Sequence, residues 1–113
     1  MNSMRNRVQL IGNLGKDPEV KTFDNGKKIA KFSMATSESY KKESGEKVTE
    51  TQWHNIVAWN GTAQVVSKLL SKGKEVALHG KLSNRSWEDD KGTKHYITEV
   101  VADEIVVFSS KEQ

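Results

Sequence analysis

Cysteine is absent from this chain of 113 residues, and proline occurs once, at Pro18. A chain without cysteine has no disulfides and no thiolate metal sites, which fits a cytoplasmic protein. No apolar run approaches the ~18 residues of a membrane span, and the N-terminus has no apolar segment typical of a secretory signal. These absences predict a soluble, unprocessed protein of the cytoplasm.

Hydrophobic residues are also scarce, at 35% of the chain against 29% charged residues. A chain of this length forms one small domain, and such a polar composition predicts a thin core that gains stability by oligomerisation. The net charge is only +3, from 18 Lys and Arg against 15 Asp and Glu. That excess alone does not establish a nucleic-acid partner, so evidence for such a partner has to come from where the charges lie along the chain.

What the chain does have is a set of aromatic residues placed among cations on segments that alternate as strands. A globular domain normally hides its tryptophans. Flat exposed rings in a positive field are typical of proteins that stack nucleic-acid bases and contact the phosphates between them. The four rings in such surroundings are Tyr40, Trp53, Trp59 and Trp87.

Alternation of apolar and polar residues predicts about five principal strands. They cover residues 5–14, 28–36, 51–59, 74–83 and 95–108, with a short return strand at 19–23. The polar residues 37–50 and 84–94 are predicted to form long loops, the first a mobile hairpin loop. Asp103-Glu104 is predicted to interrupt the last strand as a bulge.

One helix is predicted between the third and fourth principal strands. Asn60 or Thr62 is the predicted N-terminal cap and Gly73 the predicted end. Mainly β structure with this order is the OB-fold, a five-stranded Greek-key β-barrel that binds oligonucleotides and oligosaccharides. We assign it to residues 1–108, followed by a short polar tail at 109–113. The stripe at helical spacing consists of Val65, Val66, Leu69 and Leu70.

Several motifs, in matching order and spacing, resemble bacterial single-stranded DNA-binding proteins of the homotetrameric type. The resemblance extends from residue 6 to about 107. It implies sequence-independent binding and protection of single-stranded DNA in replication, recombination and repair, by a homotetramer at the nucleoid that is not an enzyme. The motifs include Ile11-Gly12-Asn13-Leu14-Gly15-Lys16-Asp17-Pro18-Glu19, Ala35-Thr36-Ser37-Glu38-Ser39-Tyr40, Thr51-Gln52-Trp53-His54 and Thr98-Glu99-Val100-Val101.

The same resemblance implies the roles of particular side chains. Base stacking falls to the four rings named above, and His54 is placed at a subunit interface. No cofactor and no metal is expected, because the three histidines lie on different elements without ligand spacing. Phosphate contacts are implied for Arg7, Lys42, Lys72 and Arg85.

The chain also departs from the family pattern. Tyr40 replaces a larger tryptophan, Asn55 replaces a common basic residue, one near Thr62 is missing, and His95 lies where a cation is common. Fewer phosphate contacts predict a shallower salt dependence. The family usually continues into an acidic tail that recruits partner enzymes, whereas this chain stops at residue 113. Recruitment of replication and repair proteins through such a tail is therefore not expected.

Ordinary structural roles remain alternatives at several of these positions. Trp53 and Trp59 could form an aromatic core, although Asn55 on the same face would then be buried without a partner. Lys42 could be balanced by glutamates in a solvated loop, and Lys72 could offset the helix macrodipole.

The main functional alternative is a primosomal or recombination adaptor built on the same barrel and acting through protein partners. Such an adaptor would not need its aromatic rings, and this chain keeps four. A barrel-type nuclease is disfavoured because the sequence has no clustered metal-binding carboxylates. A cold-shock-like RNA chaperone is disfavoured because that domain is shorter and the helix does not suit it.

Overall fold

The computed structural model describes residues 4–108, in which six strands and one helix occur. The helix follows the third of the five long strands, as predicted, and β2 is the short return strand. The predicted polar tail, 109–113, lies outside the described residues. The elements are β1 (Val8–Leu14), β2 (Glu19–Thr22), β3 (Lys28–Lys41), β4 (Lys47–Trp59), α1 (Asn60–Leu69), β5 (Glu75–Glu88) and β6 (Lys94–Val107).

The sheet has the order β1-β5-β6-β4-β3-β2 and closes into a barrel because β1 also pairs with β3. β4 and β6 run parallel, and the other pairs are antiparallel. Closure requires a glycine where β1 meets β3, since a Cβ on Gly12 would overlap the carbonyl oxygen of Ala35. The five-stranded Greek-key barrel predicted from the sequence is confirmed, with β2 as an additional edge strand.

Alternation along the strands sends one set of side chains into the barrel. Helix α1 covers one part of this core with Ala63 and Val66, while Leu69 of the predicted stripe is exposed. Burial of apolar surface, at roughly 25 cal/mol per Å², is the main stabilising contribution here. The fully buried larger side chains are Met34, Ile56, Val66 and Val76.

The predicted helix ends are wrong. Trp59 is the N-cap residue and makes no side-chain capping bond. Asn60 is inside the helix with a φ of 49°, and its Oδ1 accepts a hydrogen bond from the Lys28 backbone N–H at 3.2 Å. The helix ends at Leu69, and Gly73, with a φ of 86°, belongs to the turn that follows. The Asn60 side chain therefore binds the start of β3 and does not cap the helix.

The two predicted long loops are also wrong, because both segments are mostly paired strand. β3 and β4 stay in register as far as Lys41 opposite Lys47, and β5 and β6 as far as Glu88 opposite Lys94. Only short turns remain, with Gly45 and Gly92 at positive φ. Each of these strand pairs ends in a two-stranded ribbon that projects beyond the core. The ribbons lack apolar alternation because both of their faces are exposed, so a polar sequence there does not mean an irregular backbone.

The predicted bulge in the last strand is confirmed. His79 of β5 lies opposite Glu104, whereas Gly80, the next residue, lies opposite Ala102. Asp103 is therefore the extra residue on β6, and the side-chain alternation of that strand changes phase at this point.

Candidate nucleic-acid interface

One face of the sheet, which we call the outer face, carries the candidate binding residues. In β4 the alternation places Trp53 and Trp59 on this face and Ile56 in the core. Strand registers extend the face across β3, β6 and β5. Its members are Ile29, Lys31, Ser33, Ala35, Trp53, Asn55, Val57, Trp59, Ser83, Arg85, Trp87, His95, Ile97, Glu99 and Val101.

The three tryptophans of the outer face are all accessible. Trp53 is 62% exposed, Trp59 42% and Trp87 45%. Trp53 and Trp59 are six residues apart on one strand, which separates them by about 20 Å. The interpretation of Trp53 and Trp59 as core residues is therefore wrong, and the rings present surface to a ligand.

Trp53 rests against Gly15, the residue that directly follows β1. A Cβ added to Gly15 would lie 2.6 Å from Cζ3 and 2.9 Å from Cη2 of the Trp53 ring. The absence of a side chain at Gly15 therefore creates the space in which this ring lies, which limits the ring's orientations before any ligand arrives.

Trp87 stacks on His95 of β6, with ring centroids 5.3 Å apart and planes inclined by 23°. His95 Nε2 also contacts the Asp89 carboxylate at 2.9 Å. The hydrogen bond with His95 and that from the Thr93 backbone N–H lower the pKa of Asp89. The ionised carboxylate thus holds the His95 ring in place, and His95 covers one side of the Trp87 ring.

Arg85 is held by a buried acid of the same face, Glu99. Its Nη2 lies 2.8 Å from Glu99 Oε2 and its Nε 3.2 Å from Oε1. Glu99 is only 7% exposed, and its pKa is lowered chiefly by the hydrogen bond from Arg85. The guanidinium itself is half exposed and also lies 5.6 Å from the Trp87 ring. A two-point ion pair of this kind orients the cation beside the aromatic ring.

A hollow lies on the outer face between the tryptophans. Three cations border it, Lys16, Lys31 and Arg85, together with three acids, Asp17, Glu19 and Glu99. Lys31 faces out opposite Val57, so cations border the space between the rings. Lys16, Lys31 and His95 are not among the predicted site residues, although the alternation of 28–36 already places Lys31 on the polar face.

Four predicted residues do not join this group. Tyr40, although exposed, alternates onto the face of the β3–β4 ribbon opposite to Trp53. Lys42 lies in the turn, 3.9 Å from Glu46.

Arg7 precedes β1 and contacts His79 Nδ1 at 2.6 Å and Asp103 at 3.4 Å. Lys72 is exposed after the helix, where its backbone N–H donates to Asp17 Oδ1. The structure therefore groups three of the four rings with Arg85 and leaves the other four residues apart, and the binding roles of all eight stay predictions.

His54 lies on the opposite side of β4 from the tryptophans and is half-buried. Its Nε2 is 2.9 Å from Thr36 Oγ1, and it borders a hollow shared with Gln9 and the exposed Ile11 of β1. Its role at a subunit interface stays a prediction.

A metal site and a membrane-spanning helix were also sought within residues 4–108. Among these residues, no group of three or more acidic or histidine side chains has an arrangement that could hold a metal ion. Helix α1, with ten residues, does not have the length or apolar character of a membrane span.

Comparison with known proteins places this geometry in a family. Residues 5–108 match the model of the single-strand binding protein family. The Single-stranded DNA-binding protein 1 of Chlorobaculum tepidum is 43% identical over 108 residues, which cover 95% of this chain and 67% of the relative. The Single-stranded DNA-binding protein of Bacteroides thetaiotaomicron is 44% identical over 108 residues, covering 94% and 67%.

Solved structures agree with the sequence relatives. The Plasmodium falciparum SSB in complex with ssDNA superposes with a TM-score of 0.81 at 30% identity, covering 96% of this chain and 100% of that chain. A deletion mutant of the single-stranded DNA binding protein from Thermus aquaticus gives a TM-score of 0.79 at 27% identity, covering 94% and 51%. The chain belongs to the single-strand binding protein family.

Proposed function

We propose that this protein binds single-stranded DNA with little sequence preference and protects it during replication, recombination and repair. One observation carries the proposal: three exposed tryptophans share one sheet face with Lys31 and the oriented Arg85. Family membership supports it, since relatives at 38–44% identity bear the name single-stranded DNA-binding protein.

Stacking supplies both the affinity and the selectivity for unpaired strands. Every base has a flat face, and stacking on an aromatic side chain contributes ~1–3 kcal/mol per base. In a duplex the base faces are already covered by their neighbours. Only an open strand gains this energy from Trp53, Trp59 and Trp87, so the protein melts weak hairpins by mass action without ATP.

Electrostatic contacts supply a second, salt-sensitive contribution. Each neutralised phosphate on a single strand lowers the logarithm of the binding constant by about 0.7 per decade of salt. Arg85 is partly neutralised by Glu99, while Lys16 and Lys31 are exposed around the hollow. We expect a modest slope, in which Lys16 and Lys31 contribute more than Arg85.

Assembly into a homotetramer completes the proposal. Ile11 is an exposed apolar residue on β1 near His54, which supports burial of this region against a second copy. Such a tetramer lets one strand wrap around several outer faces. We place the protein at the nucleoid in the cytoplasm and assign it a binding role, not an enzymatic one.

The test is a fluorescence titration of the full chain with oligo-dT at several salt concentrations, with a duplex of equal length as the comparison. We expect the single strand alone to quench the tryptophan emission, and salt to weaken the binding. Absence of quenching by the single strand would overturn the proposal.

A paired substitution separates this function from that of a protein adaptor. Trp53→Ala with Trp87→Ala should weaken binding by about 25-fold or more, since each ring contributes at least ~1 kcal/mol. Tyr96→Ala is the matched control, because Tyr96 is 73% exposed but alternates onto the opposite face of β6 from His95. Equal binding by the double variant and the wild type would favour the adaptor.

A further inference from the structure

An additional aromatic ring lies beyond the grouped tryptophans. Phe23 follows β2 directly and is 38% exposed. The ammonium nitrogen of Lys21 lies 5.2 Å from the centroid of its ring. An accessible ring next to a cation is the same pairing that Arg85 and Trp87 make at the other end of the outer face.

The strand registers place this pair on the outer face. Lys21 lies opposite Ile29 of β3, and Ile29 lies opposite Trp59 of β4. Directly opposed residues point to the same side of a sheet, so Lys21 and Trp59 share a face. Two strand spacings separate them, about 10 Å.

A shallow surface hollow connects the two rings. Phe23 and Lys21 border a hollow that also includes Ile29, Lys31 and the acidic Glu19. The same two residues, Ile29 and Lys31, border the hollow beside Trp59. The surface between Phe23 and Trp59 is therefore continuous and carries Lys31 at its middle.

The position of Phe23 is set by a tight turn. The Phe23 N–H donates to the Lys27 carbonyl oxygen at 2.7 Å, and the Gly26 N–H donates to the Phe23 carbonyl oxygen at 2.9 Å. Gly26 has a φ of 89°, which a glycine adopts without strain. With its backbone fixed in this way, the ring loses little freedom when a flat ligand covers it.

We propose that Phe23 and Lys21 form a further subsite for single-stranded DNA, in which Phe23 stacks the base of a nucleotide beyond Trp59 and Lys21 contacts its phosphate. This subsite rests on the proposed function, since it extends the path of the same strand. It is not needed for binding at the Trp53 and Trp87 end, so short strands do not require it.

The first test measures affinity for oligo-dT strands of increasing length. Phe23→Ala should leave the binding of the shortest bound strands unchanged and weaken that of longer strands by about fivefold or more. Phe23→Trp should restore the affinity, and the control Tyr96→Ala should bind all lengths like the wild type. Thermal melting of each variant verifies that the barrel is intact.

A second test locates the contact directly. Strands that contain 5-bromodeoxyuridine are crosslinked to the wild-type protein by light, and mass spectrometry identifies the modified residues. Recovery of Phe23 among them supports the subsite. Its absence, while Trp53 or Trp59 is recovered, overturns the subsite.

The alternative is that Phe23 only packs against Ile29. In that case Phe23→Leu, which keeps an apolar side chain but no ring, would bind long strands as well as the wild type, and the subsite would be refuted. If wild-type fluorescence is quenched but Phe23→Ala binds normally, only the subsite fails. If the wild type shows no quenching, the proposed function fails with it.

Discussion

Replacing Gly15 with alanine should weaken the binding of single-stranded DNA and leave the fold intact. The added methyl group would lie 2.6 Å from the outer edge of the Trp53 ring. The backbone of Gly15 is outside the left-handed region, so alanine fits the main chain without strain. The ring, being largely exposed, has room to move away.

The size of the effect follows from that displacement. Ordinary contact begins at 3.4 Å, so the ring edge must move by roughly 0.8 Å. The exposed ring can turn away from the methyl group in the free protein, but a base stacked at its original position would hold the ring in a strained conformation, at a cost of about 0.5–1.5 kcal/mol. We therefore expect a loss of affinity of about two- to tenfold. The melting temperature should be unchanged or slightly higher, because alanine has fewer unfolded conformations than glycine.

The assay is a tryptophan titration with oligo-dT, together with thermal melting. Gly12→Ala is the contrasting variant, because its methyl group would overlap the backbone carbonyl of Ala35 and not a movable side chain. Overpacking of that kind costs about 1–3 kcal/mol or more, so this variant should lose stability.

A double-mutant cycle completes the test. In a Trp53→Ala background, Gly15→Ala should have no further effect on binding. An equal loss of affinity in both backgrounds would refute the mechanism, as would a fall in melting temperature similar to that of Gly12→Ala.

Two further predictions concern stability and assembly. The pKa of Glu99 is lowered in the folded protein, so its pair with Arg85 stabilises the fold above the ordinary pKa of 4.5 and the contribution is lost as pH falls through the lower folded value. Denaturation curves below pH 4.5 should therefore show a weaker pH dependence for Glu99→Gln than for the wild type, and parallel curves would contradict this. Placing a charge at the half-buried position of His54, with His54→Glu, should dissociate the proposed tetramer, and an unchanged mass by light scattering at micromolar concentration would contradict it.

Much of the fold follows from the sequence because apolar alternation reports burial. The period of two in residues 28–36 and 51–59 is enough to separate the core side of Met34 and Ile56 from the side of Trp53 and Trp59. The same signal vanishes where β3 and β4 leave the core, which is why the sequence alone predicts a loop over residues 37–50. Alternation detects a strand only where one of its faces is buried.

The candidate site is predictable only in part, for a related reason. Trp53 and Trp59 share a strand, so their common face can be derived from spacing alone. That His95 lies beside Trp87 depends on the register between two strands, which the alternation within either strand does not define. Phe23 escapes prediction because β2 is short and exposed throughout, which leaves no alternation to assign its side.

The shared use of β4 by core and binding residues restricts how such a chain can change in length. A one-residue insertion within β4 would turn Trp59 inward and Ile56 outward, and so would destroy packing and binding together. A point substitution on the outer face does not change the side to which its neighbours point, so binding residues can be exchanged while the barrel is retained. Length changes should be tolerated at the tip of the β3–β4 ribbon, beyond the last pair of Lys41 and Lys47, where the chain is exposed and unpaired with the sheet. That tip is accordingly the place at which a fluorescent label or an added segment would leave both faces undisturbed.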